Sequence, residues 1–283
     1  MFCYQCEQTN KSIACTQMGI CGKEPEVAAL QDALIHALRG LSEVAVEGRK
    51  MGINDPEVNT FVCEAAFSTL TNVNFDPERL QQYISQCVDL REKLKQMVKS
   101  AGGPASFTGD AANFIPEKSL ADLVRQGESV GLKSDPGIDP DIQSLRHTVL
   151  FGIKGISAYT HHAQILGKED DAVFAFVQEG LAGTLRKDLT LDDWVKLALK
   201  CGEANLKAME PAPAATTGGA RTSGGSSICR VLSVAADGRL WIRNAAKRTQ
   251  QVKGFSSPDI LVIESPVRNA VLRGDAFIHL SED

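Results

Sequence analysis

Four of the chain's eight cysteines, Cys3, Cys6, Cys15 and Cys21, stand near its amino terminus in the pattern C-x2-C-x8-C-x5-C. Thiolates are soft ligands, and four of them drawn from one short loop suit either a tetrahedral zinc site or a cubane iron-sulfur cluster. Zinc ribbons usually set two C-x2-C knuckles apart on hairpin turns. Here only the first pair has that spacing, and the loop leads directly into a helical pattern, which fits cluster binding better than zinc. Gly19 and Gly22 are expected to turn backbone N–H groups toward cluster sulfurs, and Lys23 to add positive charge at the same edge, both of which favour the reduced cluster. Cys63, Cys87, Cys201 and Cys229 are isolated in sequence and read as small buried apolar residues.

A chain of 283 residues with 43% hydrophobic and 23% charged content is ordinary for a soluble globular protein and long enough to bury a sizeable core. Its formal net charge of -5 offers no basic surface for nucleic acid. No apolar run approaches the length of a membrane span, and the first candidate ligand is the third residue, so the expected location is the cytoplasm. In that reducing compartment clustered cysteines hold metal more often than they pair as disulfides.

The loop, residues 1–24, must be held by the helices beyond it. Pro25 opens a helix whose Val27, Leu30, Leu34, Leu38, Leu41 and Ala45 recur at helical spacing, ending near Lys50 before Gly52 as a left-handed cap. Asp55-Pro56 and Asp76-Pro77 each pair a capping carboxylate with a first-turn proline and start two further helices, which makes residues 25–100 a first three-helix bundle. A connection over 101–140 contains a short amphipathic helix from Glu117 to Val130. A long helix from Asp141 to Leu166, closed by Gly167, then begins a second bundle over 141–209, which ends with a helix from Leu191 to Met209.

The two bundles repeat each other. Adding 115 takes Gly40 to Gly155, Ser42 to Ser157, Gly52 to Gly167, Phe61 to Phe176, Val62 to Val177, Glu64 to Glu179 and Thr69 to Thr184. The expected fold is therefore mainly α, a duplicated three-helix bundle of two spectrin-like bundles with an N-terminal cysteine loop. Composition changes after Met209: residues 210–227 are rich in Pro, Ala, Gly, Ser and Thr and read as a flexible linker. Residues 228–283 read as a small β-rich or poorly ordered tail of unknown role, with strands over 228–234, 239–243 and 260–263, an Asp237-Gly238 hairpin turn, and a strand or helix over 270–280.

The opening Met-Phe-Cys3-Tyr-Gln-Cys6-Glu-Gln-Thr, with Cys15-Thr and Gly-Ile-Cys21-Gly-Lys, resembles the amino terminus of the hybrid cluster protein family, also called prismane protein or hydroxylamine reductase. The spacing resembles the branch whose four N-terminal cysteines hold a 4Fe-4S cubane. Leu30-Gln-Asp-Ala-Leu-Ile, Phe67-Ser-Thr-Leu-Thr-Asn-Val-Asn-Phe-Asp76 and Gly152-Ile-Lys-Gly-Ile-Ser-Ala-Tyr-Thr-His-His-Ala163 carry the likeness to about residue 209. It implies a 4Fe-4S cluster on Cys3, Cys6, Cys15 and Cys21, an electron-donor protein as partner, and reduction of hydroxylamine to ammonia and water, with nitric oxide as a further substrate.

Family members are about twice this long and carry a hybrid iron-sulfur-oxygen cluster in later domains, on Gly-His-Asp and Gly-Glu-Met-Leu-Pro motifs and further cysteines. Those motifs do not occur here, and Cys229, Glu264, His279 and Glu282 match none of them. A cubane capped by four thiolates has no open coordination position, so these residues alone imply electron transfer rather than N–O cleavage. The expectation is a 4Fe-4S module of a truncated or frame-shifted gene, self-associating through helix faces that later domains would cover.

Of the other candidates, adjacent His161 and His162 cannot share a helix face, and His36 and His147 lie on amphipathic helices as partly exposed or hydrogen-bonded residues. Lys154 and Lys168 read as solvated surface charges suited at most to docking an acidic donor. No phosphate loop or nucleophile elbow stands out.

Overall fold

The computed structural model describes residues 1–6, 14–131 and 137–209 with their side chains, and the backbone of three strands beyond them. Helices α1 (Pro25–Lys50), α2 (Pro56–Ser68) and α3 (Pro77–Ser100) form the first repeat. A 3-10 turn (Ala111–Asn113) and α4 (Leu120–Val130) follow, and α5 (Pro140–Ile165), α6 (Asp171–Gly183) and α7 (Leu191–Met209) form the second. The strands β1 (Cys229–Val234), β2 (Leu240–Asn244) and β3 (Thr249–Val252) lie in a separate unit, Ala212–Asp283, while all the helices belong to Met1–Pro211.

Helix starts follow from local chemistry. The first backbone N–H groups of a helix lack intrahelical partners. Asp55 supplies acceptors to the N–H groups of Glu57 and Val58, Asp76 to those of Glu78 and Arg79, Asp139 to those of Asp141 and Ile142, and Asp170 to that of Ala172. Proline fills the first position of α1, α2, α3 and α5, where no N–H is needed. Gly52 and Gly167 close α1 and α5 at φ of 77° and 70°, a conformation glycine adopts without a Cβ clash. Helix α4 starts at Leu120, three residues later than its pattern suggests. Ser119 caps the N–H of Asp122, and the N–H of Glu117 is satisfied outside the helix by Gln126 Oε1 at 3.0 Å.

The repeat is exact in the first two helices: α5 and α6 begin and end 115 residues after α1 and α2. The third helix is shifted by one, since α7 begins 114 residues after α3, and that offset superposes buried Cys87 on buried Cys201 and Leu94 on Ala208. The repeats interlock. Helix α2 packs chiefly on α5, and α6 chiefly on α1, so the second helix of each repeat lies against the first helix of the other. Their seam is polar at its ends: Arg49 donates to Gln178 Oε1 at 2.7 Å, to Asp171 at 3.0 Å and to Asn59 Oδ1 at 3.0 Å, while Gln164, its counterpart on α5, donates across the seam to Thr60 Oγ1 at 2.8 Å and locally to Glu169 Oε1 at 3.2 Å.

Helix α1 is the axis of this unit, surrounded by α3, α4, α6 and the 3-10 turn, with eighteen of its 26 residues buried. Two glycines permit that crowding. A Cβ on Gly40 would fall on the Ala111 carbonyl, and one on Gly127 of α4 would fall on the Ala29 carbonyl. Arg91 of α3 donates to the same Ala111 carbonyl at 3.1 Å, which pins the turn in place. In the tail, β1 and β2 pair antiparallel with Val234 opposite Leu240 and Cys229 opposite Asn244, and β2 pairs antiparallel with β3. The third strand is therefore Thr249–Val252; Asp237-Gly238, the 210–227 linker and the patterns at 260–263 and 270–280 fall outside the described residues.

Candidate metal centre

The cysteine loop sits at the N-terminal end of α1, the positive end of the helix dipole. Its two described arms are tied together by a bond from the Phe2 N–H to the Cys15 carbonyl at 3.0 Å. Asn72, in the link between α2 and α3, donates to the Cys21 carbonyl at 3.1 Å and fastens the second arm to the first repeat. None of the four cysteines is in a disulfide: Cys15 is buried, and Cys3, Cys6 and Cys21 are half-buried, so one edge of the loop faces solvent. Burial pushes the Cys3 thiol up, opposed by the charge of Lys23.

Residues 7–13, between the second and third cysteines, fall outside the described residues. Among the described residues no three His, Cys, Asp or Glu side chains are already gathered around one point. The donor set nevertheless fits a thiolate-held cluster chemically: four cysteines of one loop, none in a disulfide, and a cationic bed beneath. Space around Cys21 is kept by Gly19, where an added Cβ would stand 3.2 Å from the Cys21 sulfur.

The glycines do not act as their spacing suggests. The Gly19 N–H donates to the Lys23 carbonyl at 2.8 Å and the Gly22 N–H to the Gly19 carbonyl at 2.9 Å, so both are consumed in folding the turn rather than offered to sulfur. Gly22, at φ of 85°, supplies the left-handed residue the turn requires. Lys23 is not at the edge either. It is buried, and its ammonium donates to Gln5 Oε1 at 2.7 Å and Gln31 Oε1 at 2.5 Å.

Those two glutamines extend the network. Gln5 Nε2 donates to Asp32 Oδ1 at 2.7 Å and to the Ala28 carbonyl at 2.8 Å, and Gln31 Nε2 to the Asn74 carbonyl at 2.8 Å. Gly131 closes over Asp32, where a Cβ would meet Oδ2 at 2.5 Å. Lys154 completes the bed from α5. The sequence places it on a solvated surface, but it is 1% exposed, within electrostatic reach of Cys3, Cys6, Lys23 and Asp32, because the interlocked repeats turn that face of α5 onto α2 and the loop. Its one hydrogen bond among the described residues is a long 3.5 Å contact to the Thr69 carbonyl. Burial drives the Lys154 amine well below its ordinary range and the Asp32 carboxyl well above its own. The spacing of Gln5, Asp32 and Lys154 in the sequence gives no sign that they share one site; only the fold brings them together.

The other described thiols, Cys63, Cys87 and Cys201, are buried in the apolar core; burial pushes Cys63 up to about 12 and raises Cys87 strongly as well. Inert thiols of that kind are packing residues. His161 is half-buried and His162 exposed, both against Phe67, and His147 bonds Gln143 at 2.8 Å. None of them approaches the loop as a ligand.

Residues 1–219 match the Prismane/CO dehydrogenase family, a span that begins at the cysteine loop and covers both helical repeats. The chain belongs to that family. Its relatives include proteins named hydroxylamine reductase from Syntrophobacter fumaroxidans, 63% identical over 77% of this chain and 40% of that protein, and Methanocella arvoryzae, 54% identical over 82% of this chain and 42% of that protein. A third, from Solidesulfovibrio magneticus, is 48% identical over 77% of this chain and 40% of its own length. The chain thus spans about two fifths of the length of the Prismane relatives it matches. Among the described residues no helix is long and apolar enough to cross a membrane.

Proposed function

We propose that this chain is the electron-transfer portion of a hydroxylamine reductase, with a 4Fe-4S cluster held by Cys3, Cys6, Cys15 and Cys21. The observation that carries this reading is four disulfide-free cysteines on one loop, seated over a buried cationic bed, in a family match that includes that loop. When bound, such a cluster supplies one-electron transfer, and hydroxylamine reduction to ammonia and water needs such electrons delivered singly to a site elsewhere. The chain's own residues do the rest. Buried Cys15 and the packed base of the loop keep water from one side, and half-buried Cys3, Cys6 and Cys21 leave a solvent-facing edge for a donor protein. Gln5 and Gln31 fix Lys23 and Asp32 beneath the loop, so the field there is set before any electron arrives. The reading places the protein in the cytoplasm.

Purified without oxygen, the chain should be brown and contain about four irons and four sulfides per molecule. A colourless protein with one zinc would instead mean that the four cysteines hold a tetrahedral zinc that stabilises a helical scaffold.

One observation favours a second reading, a non-catalytic iron-sulfur electron-transfer or interaction module: the sequence contains neither Gly-His-Asp nor Gly-Glu-Met-Leu-Pro. Viologen-coupled assay separates the two. Turnover of hydroxylamine or nitric oxide by the purified chain, well above that of free cluster, would exclude the module.

A further inference from the structure

Among the described residues, the buried charges near the cysteine loop do not balance. Lys23, Lys154 and Arg39 are all buried, and Asp32 is the buried carboxylate set among them. Among the described residues Lys23 is held by amide oxygens without an ion pair, Lys154 has the long Thr69 contact, and the Nε of Arg39 has no hydrogen-bond partner. An ammonium removed from water without a carboxylate is costly, by several kcal/mol even after relaxation. A fold that needed only packing at position 154 would carry an apolar side chain of similar length there. The lysine also comes from the second repeat, while the cysteines precede the first, so its placement depends on the whole interlocked unit.

We propose that Lys154 is a counter-charge for the thiolate-held cluster, a positioning residue through which the second repeat favours the reduced cluster. This rests on the cluster reading given above. A cubane on four thiolates is anionic in either oxidation state and gains one more negative charge on reduction. A cation fixed in a low-dielectric interior favours the more negative state, and solvent screens it far less than it screens an exposed lysine. The same charge is therefore unfavourable in the cluster-free protein and favourable in the loaded one.

That opposition of sign is the test. Lys154→Met keeps an unbranched side chain, one heavy atom shorter, and removes the charge; Lys168→Met, on the exposed turn after α5, is the control. Both are made in the full chain and compared with the parent as cluster-free protein, by thermal unfolding, and as reconstituted protein, by redox titration followed by electron paramagnetic resonance. The cluster-free K154M protein should unfold at higher temperature than the parent, while its reconstituted form should lose at least tenfold in the reduction equilibrium, a downward shift of about 59 mV for a one-electron couple. K168M should move neither. An unmoved potential in K154M overturns the inference whatever the cluster-free protein does. So does a K154M protein that is less stable or unfolded without cluster, because the lysine would then be satisfied by the protein alone. A parent chain that takes up no iron and sulfide overturns the cluster reading together with this inference, whereas a loaded parent with an insensitive potential overturns the inference alone.

Discussion

Gly40 of α1 and Gly155 of α5 hold the same place in the two repeats, and their surroundings are opposite. Gly40 is buried under the 3-10 turn, with the Ala111 carbonyl where a Cβ would be, while a Cβ on Gly155 would meet nothing within 4 Å. The difference runs along both helices. Eighteen residues of α1 are buried against eight of α5, although the two are equally long. Helix α1 is covered by α4 and the turn, and among the described residues the repeat carries no second copy of either over α5. The third helices differ in the same way. With the 114-residue offset, Gln81, Ser85 and Glu92 of α3 correspond to Val195, Leu199 and Leu206 of α7, and both leucines are 66% exposed. Duplication thus produced one repeat that is finished by its own connection and one whose outer face stays apolar. Relatives of which this chain matches only about two fifths have further chain to place against such a face.

The sharpest way to break the comparison is at its pivot. Gly40→Ala must displace the Ala111 backbone, which Arg91 holds from the other side, so neither partner can yield cheaply. Overpacking of this kind costs about 3 kcal/mol. Chemical denaturation should show that loss, and a Gly40→Ala protein as stable as the parent would mean the turn is not seated on α1.

The next effect depends on pH. His36 of α1 lies edge-on to Phe114 with ring centroids 5.1 Å apart, and its counterpart on α5 is Phe151. Burial first, then the charges of Arg39 and Arg91 against that of Asp110, lower His36 from 6.5 to about 4. Its folded value lies below its unfolded one, so between about pH 6.5 and 4 the unfolded chain binds a proton that the folded chain refuses. Stability is complete above that window and falls as the pH drops through it, by roughly 3 kcal/mol. His36→Phe, which installs the second repeat's residue, should flatten the profile measured by urea unfolding at stepped pH. An unchanged slope would assign the acid sensitivity to another group.

Exposed apolar positions on α7 predict association of the isolated chain. Leu199→Ser with Leu206→Glu transfers to α7 what α3 carries at the equivalent places. Sedimentation should show the dimer dissociation constant raised tenfold or more, about 1.4 kcal/mol. A parent chain that is monomeric at every concentration would show that this face needs no cover.

Much of this architecture is legible in the sequence because its signals are local. Asp-Pro starts, glycine stops and helical spacing of leucines specify each helix from a few neighbouring residues, and the 115-residue match pairs the repeats. The cysteines are legible because ligand spacing is itself local. Their bed is not. Lys154 lies 131 positions beyond Lys23, and no pattern in α5 marks which face a second repeat will turn inward. Gly19 and Gly22 are recognisable as turn residues, but which acceptors their N–H groups find depends on how Lys23 folds back over the loop. Likewise Gly40 and Gly155 read alike in sequence; the 3-10 turn that distinguishes them comes from a stretch with no periodicity.

The smallest effect has the opposite sign and isolates the cause. Glycine in a helix interior costs about 1 kcal/mol relative to alanine, through backbone entropy, wherever no contact requires it. At position 155 no atom of the described structure would meet the new methyl group, so Gly155→Ala should stabilise the isolated chain by about that amount. The same substitution thus changes sign between two positions related by the repeat, and nothing intrinsic to alanine can explain that; only the cover over α1 can. If Gly155→Ala destabilises the isolated chain, α5 has a close neighbour there after all, and the contrast between a covered and an uncovered repeat fails. If it stabilises as expected, the cover over α1 alone accounts for the opposite signs at 40 and 155.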